Sequence, residues 1–326
     1  MLDVGSNVLH DPAPAIIPII ISMISKRKVW PLVAVSLAYL FWGLNIPLIK
    51  TSLESIPIAP LLFVKFAFGG AVFTLIALRS WKRLHGGVRL RIIIATFFGY
   101  ALTTYLFYLG VKLSSGLDGS LIYLLAPLVL YVLSIEILKE KFNSKLLFGL
   151  LISFAGAVLI VCEPIITGNS TTKMDVVGNL LIVLAVFTDV LGTILVKPVL
   201  KKVSAAQMTA LRFNIAALMI LPFAIKDFGQ VSSISLQSQD YIAVAYNLIF
   251  ATLAAFYLYH LGLKKMKAEE ASPLEYLSPV AGAVGSIFIL GEILTAVMLF
   301  GVSLVVIGLY FGEVRKSLPI HISHHR

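Results

Sequence analysis

The sequence has few of the groups that a disulfide-bonded or water-exposed protein requires. It contains one cysteine, Cys162, which excludes a disulfide within the chain. Charged residues make up only 13% of the chain, whereas hydrophobic residues make up 59% and the mean hydropathy is +0.97. Soluble domains carry about 25% charged residues. The composition therefore excludes an ordinary soluble domain and indicates an integral membrane protein.

Motifs of several enzyme classes are also absent. The sequence contains no HExxH or GxSxG segment, and its acidic residues are scattered singly rather than clustered. It contains no GxxxxGK[ST] loop, so the chain does not by itself use ATP at the level of motifs. We therefore predict a protein that is not an enzyme, with no catalytic residues, no cofactor and no metal.

Apolar segments of about 20 residues recur along the chain, and each is long enough to cross the hydrocarbon core of a bilayer. The runs are too long and continuous for barrel strands, and lipid leaves only helices as the alternative. The predicted fold is an all-α integral membrane bundle of ten transmembrane helices. The predicted spans are about 30–50, 58–79, 91–112, 116–138, 145–164, 176–197, 204–226, 241–263, 270–290 and 295–314.

The basic residues lie mainly on one side of this predicted bundle. With the N-terminus in the cytoplasm, 20 of the 26 Lys and Arg fall on cytoplasmic flanks, and four fall outside. This asymmetry is a positive-inside signal and explains the net charge of +10 without a nucleic-acid partner. We expect a multi-pass protein of the cell (plasma or inner) membrane with both termini in the cytoplasm and the lipid bilayer as a partner.

One block of the chain recurs with a fixed offset of 152 residues. Residues 105–156 align without gaps on residues 257–308, and 18 of the 52 positions are identical. A second offset of 147 aligns Lys65 with Arg212. The chain is therefore two copies of one unit, and since each copy holds five predicted helices, the second copy must lie inverted in the membrane. Inverted repeats are typical of transporters whose halves rock around a shared midplane site.

We expect five parts in the chain. A cytoplasmic or interfacial tail (1–29) precedes the first repeat (30–164), a linker (165–175) joins it to the second repeat (176–314), and a cytoplasmic tail (315–326) follows. The basic residues of the first tail follow its short apolar stretch. A secretory signal has the opposite order, so we do not expect one.

Several motifs resemble those of a known family, and they are Trp42-Gly43-Leu44-Asn45 with Lys50, Leu211-Arg212-Phe213, and the repeated Ser120, Pro127, Glu140 and Ser272, Pro279, Glu292. They are similar to the motifs of the drug/metabolite transporter superfamily, EamA-like permeases. The resemblance covers about residues 30 to 314. It implies a 5+5 inverted-repeat fold and transport of small organic metabolites, often outward. One departure is Lys65, where many members carry Arg.

Two carboxylates inside predicted helices are the first candidates for a binding site, because a charge within the membrane is costly and is functional by default. Glu275 lies near the start of helix 9, and Pro279 leaves the carbonyl of residue 275 without its usual donor. Burial would allow Glu275 to take up and release protons. Asp189 is placed similarly in helix 6. For both acids, a structural ion pair with Lys65 or Arg212 stays open as the alternative.

Aromatic and hydroxyl side chains form a second set of candidates, because rings can hold a small ligand by stacking or cation–π contact. Tyr and Trp near helix ends can instead belong to the interfacial belt. The expected substrate-binding residues are Glu275, Tyr276, Trp42, Asn45, Tyr123, Tyr105, Tyr257 and Asp189. We expect Lys65 and Arg212 to form structural charge pairs, and Pro127 and Pro279 to let their helices flex.

Helices 5 and 10 differ from the others by carrying small residues at helix-packing spacing, among them Gly149, Ser153 and Gly308. We expect these helices to pack the scaffold or to form a dimer contact. Helices 1, 3, 4, 6, 8 and 9 would then surround the binding site. The expected oligomeric state is a monomer or a homodimer.

The sequence therefore predicts a secondary-active transporter of a small organic metabolite that works by alternating access. By the resemblance, an anion exchanger would place Lys or Arg on helices 4 and 9, where this chain has Tyr123 and Glu275. We expect a zwitterionic or cationic substrate, such as an amino acid or amine, and export. The alternative is an exchanger of an anionic or nucleotide- or sugar-type metabolite. An intramembrane enzyme or a channel is less favoured.

Overall fold

The computed structural model describes residues 29–82, 84–138, 144–168, 174–231, 235–263, 265 and 272–313. Within these ranges the chain is helical and contains no strand. The helices are α1 (Val29–Ser55), α2 (Ile58–Lys82), α3 (Gly86–Leu113), α4 (116–138), α5 (Ser144–Val161), α6 (Met174–Val196), α7 (Ala205–Val231), α8 (238–263), α9 (272–290) and α10 (Ala296–Glu313). Most of both predicted tails lies outside the described residues.

Each of the ten predicted apolar segments is helical in the described part of the chain. Seven helices, α1 to α4 and α6 to α8, are long and apolar enough to cross a membrane by length and composition. The remaining three, α5, α9 and α10, contain shorter apolar helices. The predicted ends differ by several residues, because α1 continues to Ser55 and α3 already begins at Gly86.

Four helices are irregular, and their irregularities recur between the two repeats. A π-helical segment interrupts α3 at Phe97–Leu102 and α8 at Asn247–Ala254. A 3₁₀ turn interrupts α4 at Tyr123–Leu125 and begins α9 at Ser272–Tyr276. The two π-helical segments are separated by the repeat offset of 152 residues or close to it, and so are the two 3₁₀ turns. Such segments replace the regular i→i−4 backbone hydrogen bonds and often mark functional positions.

Equivalent glycines make equivalent contacts in the two repeats. A Cβ atom at Gly110 of α3 would lie 2.8 Å from the carbonyl oxygen of Gly178 in α6. A Cβ atom at Gly262 of α8 would likewise lie 2.8 Å from the carbonyl oxygen of Pro31 in α1. The contact between α3 and α6 is therefore equivalent, by the repeat, to the contact between α8 and α1. Absence of a Cβ atom is what lets each pair of helix backbones approach so closely.

Helices α5 and α10 pack closely against each other and run antiparallel. A Cβ atom at Gly156 would lie 2.4 Å from the carbonyl oxygen of Gly301, and one at Gly308 would lie 2.3 Å from that of Gly149. As predicted, their small residues serve helix packing, and they do so within one chain. The scaffold role is therefore confirmed for these residues.

The centre of the α5–α10 contact lies at Ser153 and Val305. The hydroxyl of Ser153 donates to the carbonyl oxygen of Val305 over 3.1 Å. These two residues are separated by the repeat offset of 152, so a position here contacts its own equivalent. Such a contact occurs where a two-fold relation between the repeats passes through the interface.

The other pair of equivalent helices that packs together is α2 and α7. The ring of Phe213 fills the space where Gly69 has no side chain, at 2.7 Å from an added Cβ atom. The amide of Asn214 donates to the carbonyl oxygen of Gly70 over 3.2 Å and accepts from the hydroxyl of Thr74 over 3.1 Å. These contacts bury Phe66 and Phe213 completely. The two repeats are therefore joined along α2–α7 and α5–α10.

Candidate substrate-binding site

Helices α1, α8 and α9 bring one carboxylate together with three aromatic rings. The hydroxyl of Tyr39 in α1 donates to Oε1 of Glu275 in α9 over 3.2 Å. Tyr39 is itself buried, so its hydroxyl is satisfied by this carboxylate rather than by bulk water. Trp42 and Tyr259 complete the group. We call these four residues the aromatic box.

The three rings of the aromatic box are mutual neighbours. The centroid of Tyr39 lies 5.4 Å from that of Trp42 and 5.8 Å from that of Tyr259. Trp42 and Tyr259 are 5.3 Å apart. The rings meet at steep angles of 59° to 80°, which is the arrangement that aromatic quadrupoles favour. The group therefore presents ring faces and edges from two helices beside one carboxylate from a third.

The orientation of Trp42 is fixed from two sides. Its indole N–H donates to the carbonyl oxygen of Ala251 over 2.9 Å. Ala251 belongs to the π-helical segment of α8, where regular backbone pairing is interrupted. The ring of Phe256 packs against Trp42 with centroids 5.1 Å apart. Because the π-helical segment supplies the acceptor, this irregular backbone positions a side chain of the aromatic box.

Glu275 is exposed and lies in the 3₁₀ turn that begins α9. The outer, apolar stripe of that helix consists of Val280, Val284 and Phe288, which are 56%, 46% and 83% exposed. Its carboxylate reaches Tyr39 of α1, and whether Glu275 takes up and releases protons stays a prediction.

A second tyrosine–carboxylate contact joins α4 and α6. The hydroxyl of Tyr123, in the 3₁₀ turn of α4, donates to Oδ2 of Asp189 over 3.3 Å. The ring of Phe107 in α3 packs edge-on against Tyr123 with centroids 5.3 Å apart. Two residues that the sequence nominated separately, Tyr123 and Asp189, are therefore direct partners.

Neither cation inside the helices pairs with a carboxylate among the described residues. Nζ of Lys65 donates to the hydroxyl of Tyr108 over 3.2 Å and lies 5.4 Å from the centroid of that ring. Tyr108 also accepts from the amide of Asn247 over 2.7 Å. Arg212 lies in the electrostatic neighbourhood of Asp189, but Nε of Arg212 is buried and makes no hydrogen bond to any described residue. The role of Lys65 and Arg212 as structural charge pairs stays a prediction.

The other predicted binding residues lie around these two contacts or apart from them. Asn45 is 7% exposed, and its Oδ1 has no hydrogen-bond partner among the described residues. Tyr105 and Tyr276 are partly buried and pack against the main apolar core. Tyr257 is 64% exposed and joins none of the ring contacts in the described part. Since Phe256 and Tyr259 face α1, Tyr257 points away from it.

The two prolines adjoin the irregular turns of their helices. The 3₁₀ turn of α4 ends two residues before Pro127, and that of α9 ends three residues before Pro279. The side chain of Pro127 lies outside the described part. A proline cannot donate the backbone hydrogen bond to the residue four positions before it, and both turns begin at or near that position. Whether the helices flex there stays a prediction.

A carboxylate after α9 binds the beginning of α4. The two oxygens of Glu292 accept from the backbone N–H groups of Gly116 and Leu117 over 2.8 Å and 2.6 Å. These N–H groups have no partner within α4 because they lie in its first turn, and the helix dipole favours a negative charge there. We call this contact the α4–α9 latch. Its equivalent in the other repeat, Glu140, lies outside the described residues.

Lys50 adds hydrogen bonds at the same end of the molecule. Its Nζ donates to the carbonyl oxygens of Val111 over 2.9 Å and Ser114 over 2.5 Å, at the end of α3. The side chain thus ties the end of α1 to the α3–α4 turn, next to the α4–α9 latch. The described residues contain no group of three or more His, Cys, Asp or Glu side chains that could hold a metal.

Tyr39 and Tyr259 were not predicted from the sequence. Tyr39 lies three residues before Trp42, so both are on one face of α1, and this spacing was the available signal. Tyr259 is equivalent to Phe107 by the offset of 152 residues. Neither relation alone distinguishes a tyrosine of the site from one of the interfacial belt.

Apolar helices long enough to cross a membrane, with equivalent helices of two copies packed together, are those of a multi-pass membrane protein. The model of the EamA-like transporter family matches residues 29–162 and again residues 176–312. The chain therefore belongs to the EamA-like transporter family, within the drug/metabolite transporter superfamily.

Relatives of known sequence are similar along most of their length. An uncharacterised transporter of Bacillus subtilis, YetK, is 24% identical over 297 residues, which are 90% of this chain and 90% of that relative. A probable amino-acid metabolite efflux pump of Salmonella typhimurium is 25% identical over 304 residues, covering 87% of this chain and 96% of that protein. A similarly named pump of Escherichia coli is 24% identical over 292 residues.

A solved crystal structure shares the fold. It superimposes with a TM-score of 0.59 at 19% sequence identity and covers 90% of this chain and 99% of that protein. The likeness supports the helical architecture and carries no information about the substrate.

Proposed function

We propose that the protein is a secondary-active transporter that exports a small zwitterionic or cationic metabolite, such as an amino acid or amine, across the cell membrane. Transport proceeds by alternating access between two inverted repeats of five helices each. The observation that carries this proposal is the antiparallel packing of equivalent helices. Two copies of one unit packed in this way expose a shared site first to one side of the membrane and then to the other.

The antiparallel pair α5–α10 supports the inversion of the second repeat. Both helices occupy the same place in their repeats, and Ser153 contacts its equivalent Val305 at their crossing. A two-fold axis through that point, parallel to the membrane plane, inverts one repeat relative to the other. All three shorter helices then cross the membrane together with the seven longer ones, which gives ten spans with both termini in the cytoplasm.

The α4–α9 latch supports alternating access. It joins a helix of the first repeat to the end of a helix of the second, through Glu292 and the first turn of α4. With Lys50, it holds this end of the molecule together. By the predicted topology, this is the exterior end. An outward-open state requires the α4–α9 latch to break and the equivalent contact at the other end to form.

The charges around the site support an amine-containing substrate. Glu275 and Asp189 each accept a hydrogen bond from a tyrosine, which orients the carboxylate. Carboxylates at these positions attract a cationic group of the substrate rather than an anionic one. The printed names of the Salmonella typhimurium and Escherichia coli relatives agree with an exported amino-acid metabolite.

One observation favours the alternative of an anionic substrate. Nε of Arg212 is buried without a hydrogen-bond partner among the described residues, as an anion-binding group would be. However, Arg212 lies close to Asp189, whose negative charge opposes the approach of an anion. Lys65, its equivalent, is already bound by Tyr108. We therefore place the anionic substrate second.

The test of transport is flux in liposomes that contain the purified protein and no ATP. We expect saturable uptake of a labelled amine or amino acid, accelerated when the unlabelled compound is present on the opposite side. Acceleration from the opposite side requires a site that alternates between the two faces. Currents of a channel's size, or ATP hydrolysis by the chain, would contradict the proposal.

The test of topology uses two reporters. One is fused after Arg326 and the other is inserted within residues 167–173. We expect the first to report the cytoplasm and the second the exterior, because an odd number of spans, five, lies between the two reporters. Both reporters on the same side would contradict the inverted arrangement of ten spans.

A further inference from the structure

We propose that the α4–α9 latch is a proton-operated gate, in which a proton taken up by Glu292 from the exterior releases the first turn of α4. The inference deepens the proposed function and rests on it for the statement that this end of the protein faces the exterior. It adds a form of regulation, by the acidity outside the cell, that neither the sequence motifs nor the relatives indicate.

The first argument is that the α4–α9 latch depends on a negative charge. The two oxygens of Glu292 accept from the N–H groups of Gly116 and Leu117 over 2.8 Å and 2.6 Å. Hydrogen bonds to an ionised acceptor are roughly twice as strong as those between neutral groups, and the dipole of α4 adds to the attraction. A proton on Glu292 removes the charge and turns one of the two acceptors into a hydroxyl. Protonation therefore weakens the latch.

The second argument is that the backbone fixes the position of Glu292. Gly291 ends α9 in the left-handed conformation, with a φ of 69°, which glycine adopts without steric cost. The N–H groups of Gly291 and Glu292 both donate to the carbonyl oxygen of Ser286, the second over 3.3 Å. The end of α9 therefore presents the carboxylate to α4, so a change in its charge acts directly on the contact between the two helices.

The third argument is access for protons. Glu292 is half-buried and lies in the short segment 291–295 between α9 and α10. Its neighbours Gly291 and Ile293 are exposed, so a proton reaches the carboxylate at this end without crossing the helices. Ser286, by contrast, is fully buried and packs against the first turn of α4, since its Oγ lies 2.7 Å from an added Cβ atom at Gly116. The latch thus separates an exposed segment from a buried one.

The fourth argument concerns the charged groups around Glu292. Lys50 of α1 lies in its electrostatic neighbourhood and attracts its ionised form, whereas Asp118 of α4 repels that form. The other charged groups of this end are Glu54 and Asp175, both near Lys50, Glu163 near Asp118, and the exposed Lys112 at the end of α3. The charge of Glu292 is therefore held by one lysine and two N–H groups within a group of five acids.

The direction of the response follows from these contacts. A proton on Glu292 removes the attraction of the two N–H groups and of Lys50, all of which favour the closed latch. It also relieves the repulsion by Asp118, which favours closure. Asp118 does not bond Glu292, because its Oδ2 accepts from Ser114 and Ser115 and its Oδ1 has no partner in the described part. The direct contacts are closer and outweigh this relief. Protons therefore shift the protein toward the open state.

Labelling of a buried cysteine measures the opening of the gate. Ser286→Cys in a Cys162→Ala background is the reporter, purified in detergent and treated with a maleimide from about pH 7.5 to about pH 4.5, where carboxyl groups of proteins take up protons. Maleimide reacts with the thiolate, so the rate for any cysteine falls with pH. The rate for the same cysteine with Glu292→Gln, which imitates the protonated side chain, is therefore divided by the rate for the reporter alone.

We expect this ratio of rates to fall with acidity. Glu292→Gln should be labelled roughly tenfold faster than the reporter alone at about pH 7.5 and within about twofold of it at about pH 4.5, because protons then open both. Glu54→Gln, at an exposed acid of the same end, is the matched control and should stay within about twofold throughout. Ser120→Cys, at another fully buried serine, serves as the reporter if Ser286→Cys fails to fold.

Two results would overturn the gate. One is a ratio that stays constant across the pH range, since acid would then not act through Glu292. The other is an equal effect of Glu54→Gln, since general loss of negative charge would then explain the opening.

Two further measurements separate the gate from its setting. Intact cells, with acid and an impermeant maleimide added outside, should show the same fall in the ratio. No labelling of cells, when the purified protein responds, would overturn the exterior placement. Acid-dependent labelling of a protein that shows no flux would leave the gate standing and overturn the transporter, and flux with a constant ratio would do the reverse.

Discussion

Each repeat contains a cluster with a tyrosine–carboxylate hydrogen bond, and the two clusters lie at equivalent positions. The helix that supplies the tyrosine in one cluster supplies the carboxylate in the other. In one, Tyr123 of α4 donates to Asp189 of α6 over 3.3 Å. In the other, Tyr39 of α1 donates to Glu275 of α9 over 3.2 Å. Helix α9 is the equivalent of α4, and α1 is the equivalent of α6. The acid and the tyrosine have therefore exchanged helices between the repeats.

The exchange continues in the surrounding rings. Position by position, Tyr123 corresponds to Glu275 at the offset of 152, and Asp189 corresponds to Trp42 at the offset of 147. Phe107 corresponds to Tyr259. The result is three rings beside one acid in the aromatic box, and one acid beside two rings in the other cluster. The backbone frame is repeated, whereas the side chains at its centre are specialised.

The scaffold shows the opposite behaviour. The close contacts of Gly110 and Gly262 are made in the same way in both repeats, at 2.8 Å for an added Cβ atom. Two helix backbones can touch only where no side chain lies between them, so both copies require glycine at these positions. A ligand has no such symmetry, and the side chains that contact it need none.

The largest expected effect separates the two carboxylates. Glu275→Gln should lower transport roughly tenfold or more, because the counter-ion of the substrate is lost. Asp189→Asn should lower it less than about tenfold, since asparagine still accepts from Tyr123. Initial rates of uptake into proteoliposomes, at matched protein content, measure both. A greater loss for Asp189→Asn would reverse the roles assigned to the two clusters.

The next effect tests the α4–α9 latch. Glu292→Gln removes the charge from two hydrogen bonds, and charged hydrogen bonds contribute about 1.5–3 kcal/mol. We expect this end to open more often, so that the buried Ser286, replaced by cysteine in a Cys162→Ala background, reacts roughly tenfold faster with an impermeant maleimide. Glu54→Gln, at an exposed acid at the end of α1, is the control. Equal labelling rates in both variants would show that Glu292 does not hold the end closed.

A smaller effect concerns the symmetric scaffold. Gly156→Ala and Gly308→Ala place a Cβ atom 2.4 Å and 2.3 Å from a carbonyl oxygen of the partner helix. Each should destabilise the protein by about 1–3 kcal/mol, as overpacking does, and by similar amounts. Gly87→Ala is the control, because no atom lies within 4 Å of its Cβ position. Thermal unfolding in detergent measures all three, and strongly unequal effects of the two core glycines would show that the repeats do not share this contact.

The smallest effect distinguishes two tyrosines of α8. Tyr257→Leu should leave transport within about twofold of the parent, because this 64% exposed side chain points away from α1. Tyr259→Leu should lower transport by the loss of a ring at the aromatic box. Rates measured at limiting substrate compare the two. Loss of activity in the Tyr257 variant alone would place the substrate on the other face of α8.

The difference between Tyr257 and Tyr259 also shows where prediction from sequence ended. All ten apolar segments, the repeat and the packing of the small residues in α5 and α10 could be read from the sequence, because they depend on composition and spacing. The π-helical segment Asn247–Ala254 could not, and it changes the helical phase before both tyrosines. A regular period of 3.6 residues therefore assigns faces incorrectly beyond it.

Pairing between helices was the other missing information. Trp42, Asp189, Tyr123 and Glu275 were each predicted as site residues, yet the sequence does not show which of them meet. The same limit made an ion pair with Lys65 or Arg212 a reasonable alternative for both acids. Each carboxylate accepts a hydrogen bond from a tyrosine, and this follows from how α1 packs on α9 and α4 on α6.

The most direct test of the account is the selectivity of flux for an amine. Proteoliposomes with the parent protein or Glu275→Gln are exposed to an equimolar pool of amines, amino acids, carboxylates and sugar phosphates, and the vesicle contents are measured by mass spectrometry. We expect at least one amine-containing compound to enter with the parent protein and not with the variant, without ATP. Entry of carboxylates or phosphates alone, or equal entry with both proteins, would contradict the assignment of Glu275 and the aromatic box to substrate binding.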